Sequence, residues 1–286
     1  MNYFETMNCY NCNSLRTPPN ITYGVLIQTI GLFGKKEKKM KIIEWNLHPD
    51  VKAYTTTREL GDISFNNPDY RLVLAHRQEL ASLLNTDLEH MVAPRQTHST
   101  NLKQVYLKDG GTNMLSQTDI LKDVDATYTK DKDLFLLSFH ADCTPVLVYC
   151  EDQKIVCAIH SGWLGTVRQI VDKSIRYLIE HEKCNPQKMY CLIGPCISKK
   201  HLEVQDDVID QVKAMNFDTS SFYTKTDDTH YLLDNKGLNK QQLLNLGVLE
   251  KNIQVSDYCT VENNDLFFSH RKNRDGTRNI TLIKRK

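Results

Sequence analysis

Two apolar, β-branched runs with only three residues between them constrain this chain more than any other feature. Residues 144–150 (TPVLVYC) and 154–160 (KIVCAIH) flank Glu151-Asp152-Gln153. Runs of this kind around so short a loop predict an antiparallel hairpin. The pairing also predicts a contact that is distant in sequence. Cys143 lies just before the first strand and His160 closes the second, 17 residues later. Antiparallel pairing brings those two ends to the same edge of the sheet. A thiol and an imidazole therefore become neighbours.

The rest of the body reads as a mixture of strands and helices. Residues 134–139 (LFLLSF) and 189–193 (MYCLI) are apolar strands. Pro68-Asp69 precede Tyr70, Val73, Leu74, Arg77, Leu80, Leu83 and Leu84, which have helical spacing. After Ser161-Gly162, the positions Trp163, Leu164, Val167, Ile170, Val171, Ile175, Leu178 and Ile179 predict one amphipathic helix of about five turns. Residues 208–215 and 237–246 predict further helices, the second stopped by Gly247. Residues 267–270 and 279–283 flank Asp275-Gly276 and predict a strand–turn–strand ending. No regular βα alternation is present. The fold class expected is α+β: a single domain of mixed β-sheets flanked by helices, with a metal site at strand ends.

Composition excludes several classes. Of 286 residues, 40% are apolar and 25% charged, ordinary globular usage. The net charge is +1, from 36 basic and 35 acidic residues, which argues against nucleic-acid or membrane partners spread over the surface. No apolar run approaches the roughly 18–20 residues of a membrane span. The best, 23–33, contains Gln28 and Thr29. It is followed by Lys35, Lys36, Lys38 and Lys39, the wrong side for a signal peptide. Nine cysteines are an odd number, and several sit in apolar runs, as buried free thiols do. A reduced, cytoplasmic setting is expected. Residues 1–39 differ in character from the body and are expected to be a disordered or artefactual extension, with 40–286 the catalytic domain. The Cys9-x-x-Cys12 pair in that extension has no second pair nearby and is a weak metal signal.

Three segments put metal-capable side chains at strand ends: Arg95-Gln96-Thr97-His98, His140-Ala141-Asp142-Cys143 and Ile159-His160-Ser161-Gly162. A thiolate with imidazoles suits zinc. Spacing alone joins Cys143 to His160 and leaves His98 unplaced. The segments HADCTPVLV (140–148), AIHSGWLGTV (158–167) and IGPCI (193–197) resemble the laccase-domain family, also called the YfiH or polyphenol-oxidase-like family. Arg95-Gln-Thr-His, Leu233-Asp-Asn with Asn239, Gln242 and Gly247, Cys259-Thr, and Phe267-Phe-Ser with Arg271, Gly276 and Arg278 extend the likeness in order, from about residue 54 to 283.

The resemblance implies that His98, Cys143 and His160 are zinc ligands, copper being a poorer choice. It implies a purine nucleoside phosphorylase acting on purine nucleosides (adenosine, inosine, guanosine, methylthioadenosine) and inorganic phosphate, with adenosine deamination as a side activity. Other activities attributed to the family are peptidoglycan editing and copper-dependent polyphenol oxidation. Ten histidines without a His-x-His pair make a multicopper centre poor. A cysteine hydrolase using Cys143 and His160 would compete with zinc for the same groups.

Further roles follow from residue type. Arg58, in TTTREL, matches a family turn and is the candidate phosphate ligand and catalytic cation. Asp142 is the candidate proton acceptor or ligand-orienting carboxylate. Gln96 either points at substrate or pairs in a strand. Ser161 and Gly162 open a helix, where free N–H groups suit an anion, or form a plain N-cap. Trp163 is a core anchor or a stacking platform. Cys196 and Cys259 are buried thiols or pocket walls, and Glu203 is a catalytic or surface carboxylate. Between 270 and 286 stand seven basic residues, Arg271, Arg274 and Arg278 among them, and one acidic: an anion-attracting strip or a solvated strand pair. Two positions depart from the family: Leu164 stands where a basic residue is usual, with Arg168 one turn on, and His140 where a small or hydroxyl residue is usual.

Overall fold

A computed structural model of the chain describes residues 40–286. The reading of residues 1–39, Cys9 and Cys12 included, lies outside the described residues. The strands are, in chain order, β1 (Ile42–Trp45), β2 (Val51–Thr56), β3 (Met91–Val92), β4 (Leu102–Gln104), β5 (Ala126–Thr129), β6 (Phe135–His140), β7 (Thr144–Cys150), β8 (Ile155–Ser161), β9 (Met189–Ile193), β10 (Glu203–Gln205), β11 (Tyr223–Lys225), β12 (His230–Leu233), β13 (Ile253–Val255) and β14 (Asn279–Arg285). The helices are α1 (Tyr70–Leu83), α2 (Trp163–Val167), α3 (Ile170–Glu180), α4 (Asp206–Lys213), α5 (Asn235–Asn245) and α6 (His270–Asn273). The fold is α+β.

The hairpin is the middle of a six-stranded sheet ordered β13-β9-β7-β8-β5-β4. β7 pairs β8 antiparallel from Thr144↔Ser161 to Cys150↔Ile155. The turn takes one residue more than expected, because Lys154 adopts φ +54° and completes it. A five-stranded sheet, β1-β2-β14-β6-β3, lies against one face, and a small antiparallel sheet, β10-β12-β11, stands apart.

Side-chain alternation along β7 and β8 builds two cores at once. Val146, Val148, Ile155, Cys157 and Ile159 meet Ile170, Val171, Ile175 and Leu178 of α3 and Leu243 of α5. Leu147, Tyr149, Val156 and Ala158 face Val51, Ala53, Leu136 and Ile283 of the other sheet. The far side of that second sheet, Phe135, Leu137, Ile280 and Leu282, packs on Leu80 and Ala81 of α1. The result is helix, sheet, sheet, helix. Burying each large apolar side chain of α3 stabilises the stack by roughly 1.5–3 kcal/mol, as an upper estimate.

Two expectations are corrected. The long helix after Gly162 is broken into α2 and α3, with Gln169 between them at φ +62°. The buried Gln242 side chain spans the break. It donates to Thr166 O (3.1 Å) and accepts from Asp172 N (3.0 Å), satisfying groups that the interruption frees. Residues 267–270 are not a strand. The Asn279 side chain accepts from Phe268 N (2.8 Å) and donates to Phe268 O (2.8 Å), as a neighbouring strand would. The backbone edges of β14 are already paired with β2 and β6. Ser269 instead caps α6, accepting from Lys272 N at 3.2 Å. Among the described residues, no helix is long and apolar enough to cross a membrane.

Candidate metal centre and cavity

The edge of the sheet where β7 begins and β8 ends carries His98, Cys143 and His160. Their ligand atoms all lie within 4.8 Å of one another. Cys143 Sγ is 3.6 Å from His98 Nε2. Tetrahedral zinc with ordinary Zn–S and Zn–N bonds places such a pair about 3.5 Å apart. Two imidazoles and a thiol leave one coordination position toward the cavity. The donor set and spacing thus fit a transition metal.

Asp125, which sequence reasoning missed, organises this centre. It ends the loop before β5, and its side chain is fully buried. One oxygen accepts from His160 Nδ1 at 2.7 Å, so Nε2 is the nitrogen left to hold a metal once it gives up its proton. The carboxylate also accepts from the backbone N–H of Thr97 (3.0 Å), His98 (3.1 Å) and Ser99 (2.8 Å). These bonds hold His98 at φ +63°, a left-handed conformation costing about 1–2 kcal/mol for a residue with a Cβ. An aspartate just ahead of an apolar strand (VDATYT, 124–129) was the available signal, and it is a weak one.

Electrostatics favour an ionised pair. Burial pushes the Cys143 thiol up, but the adjacent His160 and His98 outweigh it and bring it down to about 6. Burial pulls His160 down, while Cys143 and Asp125 raise it to about 9. Asp125 is destabilised by burial yet held below the usual carboxylate range by His160 and the backbone amides.

Gly162 closes the back of the centre. A Cβ there would lie 2.8 Å from Cys143 Sγ and 2.6 Å from His98 Cδ2. The three side chains open onto a cavity of about 580 Å³, whose wall includes Phe65, Phe139, Trp163, Arg271 and Arg278.

The structure redistributes the other expected roles. Arg58 does not line the cavity; its guanidinium sits 4.7 Å over the Phe268 ring and donates to Asn273 Oδ1 at 3.3 Å. Asp142 lines the cavity, but both oxygens are committed, to Thr260 Oγ1 (2.6 Å) and to Arg271 N (2.7 Å). It therefore anchors the start of α6 instead of standing free as a base. Gln96 lines the cavity and at the same time pairs with the backbone of β6, donating to Phe139 O (2.7 Å) and accepting from Phe139 N (2.8 Å). Ser161 is buried and spent on Asn239 Oδ1 (2.7 Å) and Thr166 Oγ1 (2.9 Å), away from the cavity. Trp163 joins the small-sheet core and the cavity wall together. Glu203 is exposed on β10, and its backbone oxygen accepts from Arg271 Nη2 at 3.2 Å. Neither Leu164 nor Arg168 lines the cavity. Positive charge comes from Arg271 and Arg278 near the chain end and from Lys122, which line the cavity with no carboxylate in ion-pair reach among the described residues, whereas Arg95, also on the wall, pairs with Asp119.

His140 is the one buried imidazole outside the ligand set that lines the cavity. Trp45 Nε1–H donates to Thr55 Oγ1 (2.9 Å), Thr55 Oγ1 is 2.9 Å from Thr281 Oγ1, and Thr281 Oγ1 is 2.8 Å from His140 Nε2. Donation from Trp45 toward His140 is the direction that gives every hydroxyl proton in this chain an acceptor. His140 Nε2 then accepts, and the proton sits on Nδ1, which has no partner among the described residues. Burial, with the charges of His160 and Arg278, lowers His140 to about 3, so the ring is neutral.

Relatives share this architecture. Residues 57–286 match the family described as multi-copper polyphenol oxidoreductase laccase. Purine nucleoside phosphorylase YlmD of Bacillus subtilis is 35% identical over 205 residues, 72% of this chain and 74% of that protein. A purine nucleoside phosphorylase of Staphylococcus epidermidis is 31% identical over 254 residues, 85% of this chain and 95% of that one. The crystal structure of Bacillus licheniformis hypothetical protein YfiH superposes with a TM-score of 0.80 at 30% identity, covering 82% of this chain and 93% of that one. YlmD from Geobacillus stearothermophilus gives 0.79 at 29%, covering 83% and 93%. On a match that spans most of its length and on the fold it shares with these structures, the chain belongs to the laccase-domain (YfiH) family.

Proposed function

We propose that the chain is a zinc-dependent purine nucleoside phosphorylase whose ligands are His98, Cys143 and His160. The observation that carries this is the convergence of the three ligand atoms at a cavity of about 580 Å³ also lined by Arg271 and Arg278. A volume of this size suits a nucleoside-sized ligand. Relatives bearing the name purine nucleoside phosphorylase support the same reading. When bound, zinc supplies Lewis acidity at the open position. Arg271 and Arg278 hold inorganic phosphate bidentately and place one of its oxygens against C1′, the electrophilic carbon of the ribose. The C1′–N9 bond breaks with its electron pair leaving on the purine, a bond from phosphate oxygen to C1′ forms, and the proton that hydrogen phosphate gives up ends on the purine, so that neutral purine and ribose 1-phosphate leave. Phe65, Phe139 and Trp163 offer the purine an apolar wall. Asp142 keeps Arg271 in place through its backbone N–H.

Adenosine, inosine, guanosine and methylthioadenosine fall within this substrate class, and adenosine deamination is a side reaction of the same centre. Two imidazoles and one thiolate with one open position are the ligand number and type of a catalytic zinc site, and zinc is the metal proposed. The test is conversion of inosine to hypoxanthine by protein carrying measured zinc, with turnover that depends on added phosphate. Zinc-loaded protein that turns over none of the four nucleosides would overturn the reading.

A further inference from the structure

We propose that His201, Cys259 and Glu262 form a second transition-metal site, selective for zinc, that clamps one wall of the cavity. The three side chains come from two single helical turns. His201 N and Leu202 N both donate to Ser198 O (3.0 and 3.1 Å), so His201 rises over Ser198. Asn263 N donates to Cys259 O (2.8 Å), which sets Cys259 and Glu262 on one side, three residues apart. Thr260 N donates to Cys196 O (3.1 Å), and Cys196 and Cys259 pair as a short parallel bridge, which holds the turns face to face.

The ligand atoms of His201, Cys259 and Glu262 all lie within 4.8 Å of one another. His201 Nε2 is 3.0 Å from Glu262 Oε1. Zinc-bound nitrogen and oxygen atoms are about 3.3 Å apart in a tetrahedral site, so a metal needs only a few tenths of an ångström of opening. Ser198 N–H donates to Cys259 Sγ (3.3 Å), which fixes the sulfur between the two turns. The Ser198 hydroxyl oxygen is buried beside this bond with no partner among the described residues. Imidazole, thiolate and carboxylate together suit zinc. The one competitor is Lys200, whose Nζ is 3.0 Å from the same Glu262 oxygen. Both of those side chains are exposed, and such a solvated pair is weak enough for a metal to displace.

The site shares no residue with the centre at His98, Cys143 and His160. It borders the same cavity, because Ile197 and Leu202, on either side of the 198–201 turn, line it. Ile197 N also donates to Asp142 O at 3.1 Å. Metal bound here fixes that wall.

The experiment uses the full chain and zinc alone. Bound zinc is counted after dialysis in wild type, Glu262→Gln, His201→Asn, Cys143→Ser and the Cys143→Ser/His201→Asn pair. Glu262→Gln and His201→Asn are expected to hold one zinc fewer than wild type, with affinity for the lost ion reduced at least about 10-fold. Cys143→Ser loses a different ion, and the double variant loses two. Cobalt(II) added to Cys143→Ser is expected to give a thiolate–cobalt absorption that falls when Cys259→Ser is added. His201→Asn and Glu262→Gln with the zinc content of wild type, or a cobalt band that Cys259→Ser leaves unchanged, would overturn the second site. Loss of zinc in Cys143→Ser alone speaks only to the first.

Discussion

Asp125 joins His160 through a 2.7 Å hydrogen bond to Nδ1, and the same carboxylate accepts the backbone N–H of His98 at 3.1 Å. One buried anion thus positions two of the three candidate ligands, one through its ring and the other through its backbone. Asp125→Asn keeps the shape but turns an acceptor-only group into one that must present N–H to other N–H donors. The expected result is a folded protein whose zinc affinity falls on the order of 10–100-fold. A competitive titration against a chromophoric chelator measures it, and unchanged affinity would show that the amides hold the loop unaided.

Gly162 makes a sharper steric prediction. Its φ of −66° is open to any residue, so backbone strain is not the constraint. The constraint is space: a Cβ would sit 2.8 Å from Cys143 Sγ. Gly162→Ala is expected to push Cys143 and His98 apart and to cost the zinc of that centre while leaving far-UV circular dichroism intact. Gly165→Ala is the control. Its Cβ would meet Ile170 Cγ2 at 3.3 Å and would reach the centre's residues only at the His160 backbone oxygen, at an ordinary van der Waals 3.8 Å, and alanine favours the helix by up to about 1 kcal/mol. Zinc content should survive that change.

The two arginine assignments separate in steady-state kinetics. Arg271 lines the cavity, whereas Arg58 stacks on Phe268 outside it. Arg271→Ala is expected to raise the KM for phosphate about tenfold or more, the loss of one charge-assisted contact of roughly 1.4 kcal/mol or more. Arg58→Ala should leave it within about twofold. The opposite ranking would return the phosphate site to the turn at residue 58.

What the residues revealed and what they hid divide by the range of the interaction. The β7–β8 hairpin was legible because both strands are apolar and β-branched and the loop is short, and pairing then put Cys143 near His160. His98 came only through family likeness, since its place depends on Asp125, 27 residues away. The apolar stripe from Trp163 to Ile179 is truly helical on both sides of the break. Nothing in that stripe announces Gln242, which comes from another helix to cap the interruption. Arg58 and Ser161 looked like anion ligands by type. Their partners, Phe268 for one and Asn239 for the other, are tertiary and silent in a local window.

The relay from Trp45 to His140 yields a prediction about a proton. If donation runs Trp45→Thr55→Thr281→His140, the neutral ring carries its hydrogen on Nδ1 and accepts at Nε2 from Thr281, 2.8 Å away. Nitrogen-15 NMR of the ring is expected to show the Nδ1–H tautomer. It should stay neutral across the neutral and mildly acidic range, because burial lowers its protonation to about 3. Thr281→Val removes the hydroxyl from a fully buried site and strands both Thr55 and His140 Nε2. That change should lower stability by about 1–3 kcal/mol in urea unfolding, and Thr281→Ser, which keeps the donor, by clearly less. With the hydroxyl gone, Nε2 no longer has a donor to accept from and the tautomer preference should weaken. A ring that shows Nε2–H in the wild type would reverse the relay and make Nδ1 an acceptor toward whatever fills the cavity beside it.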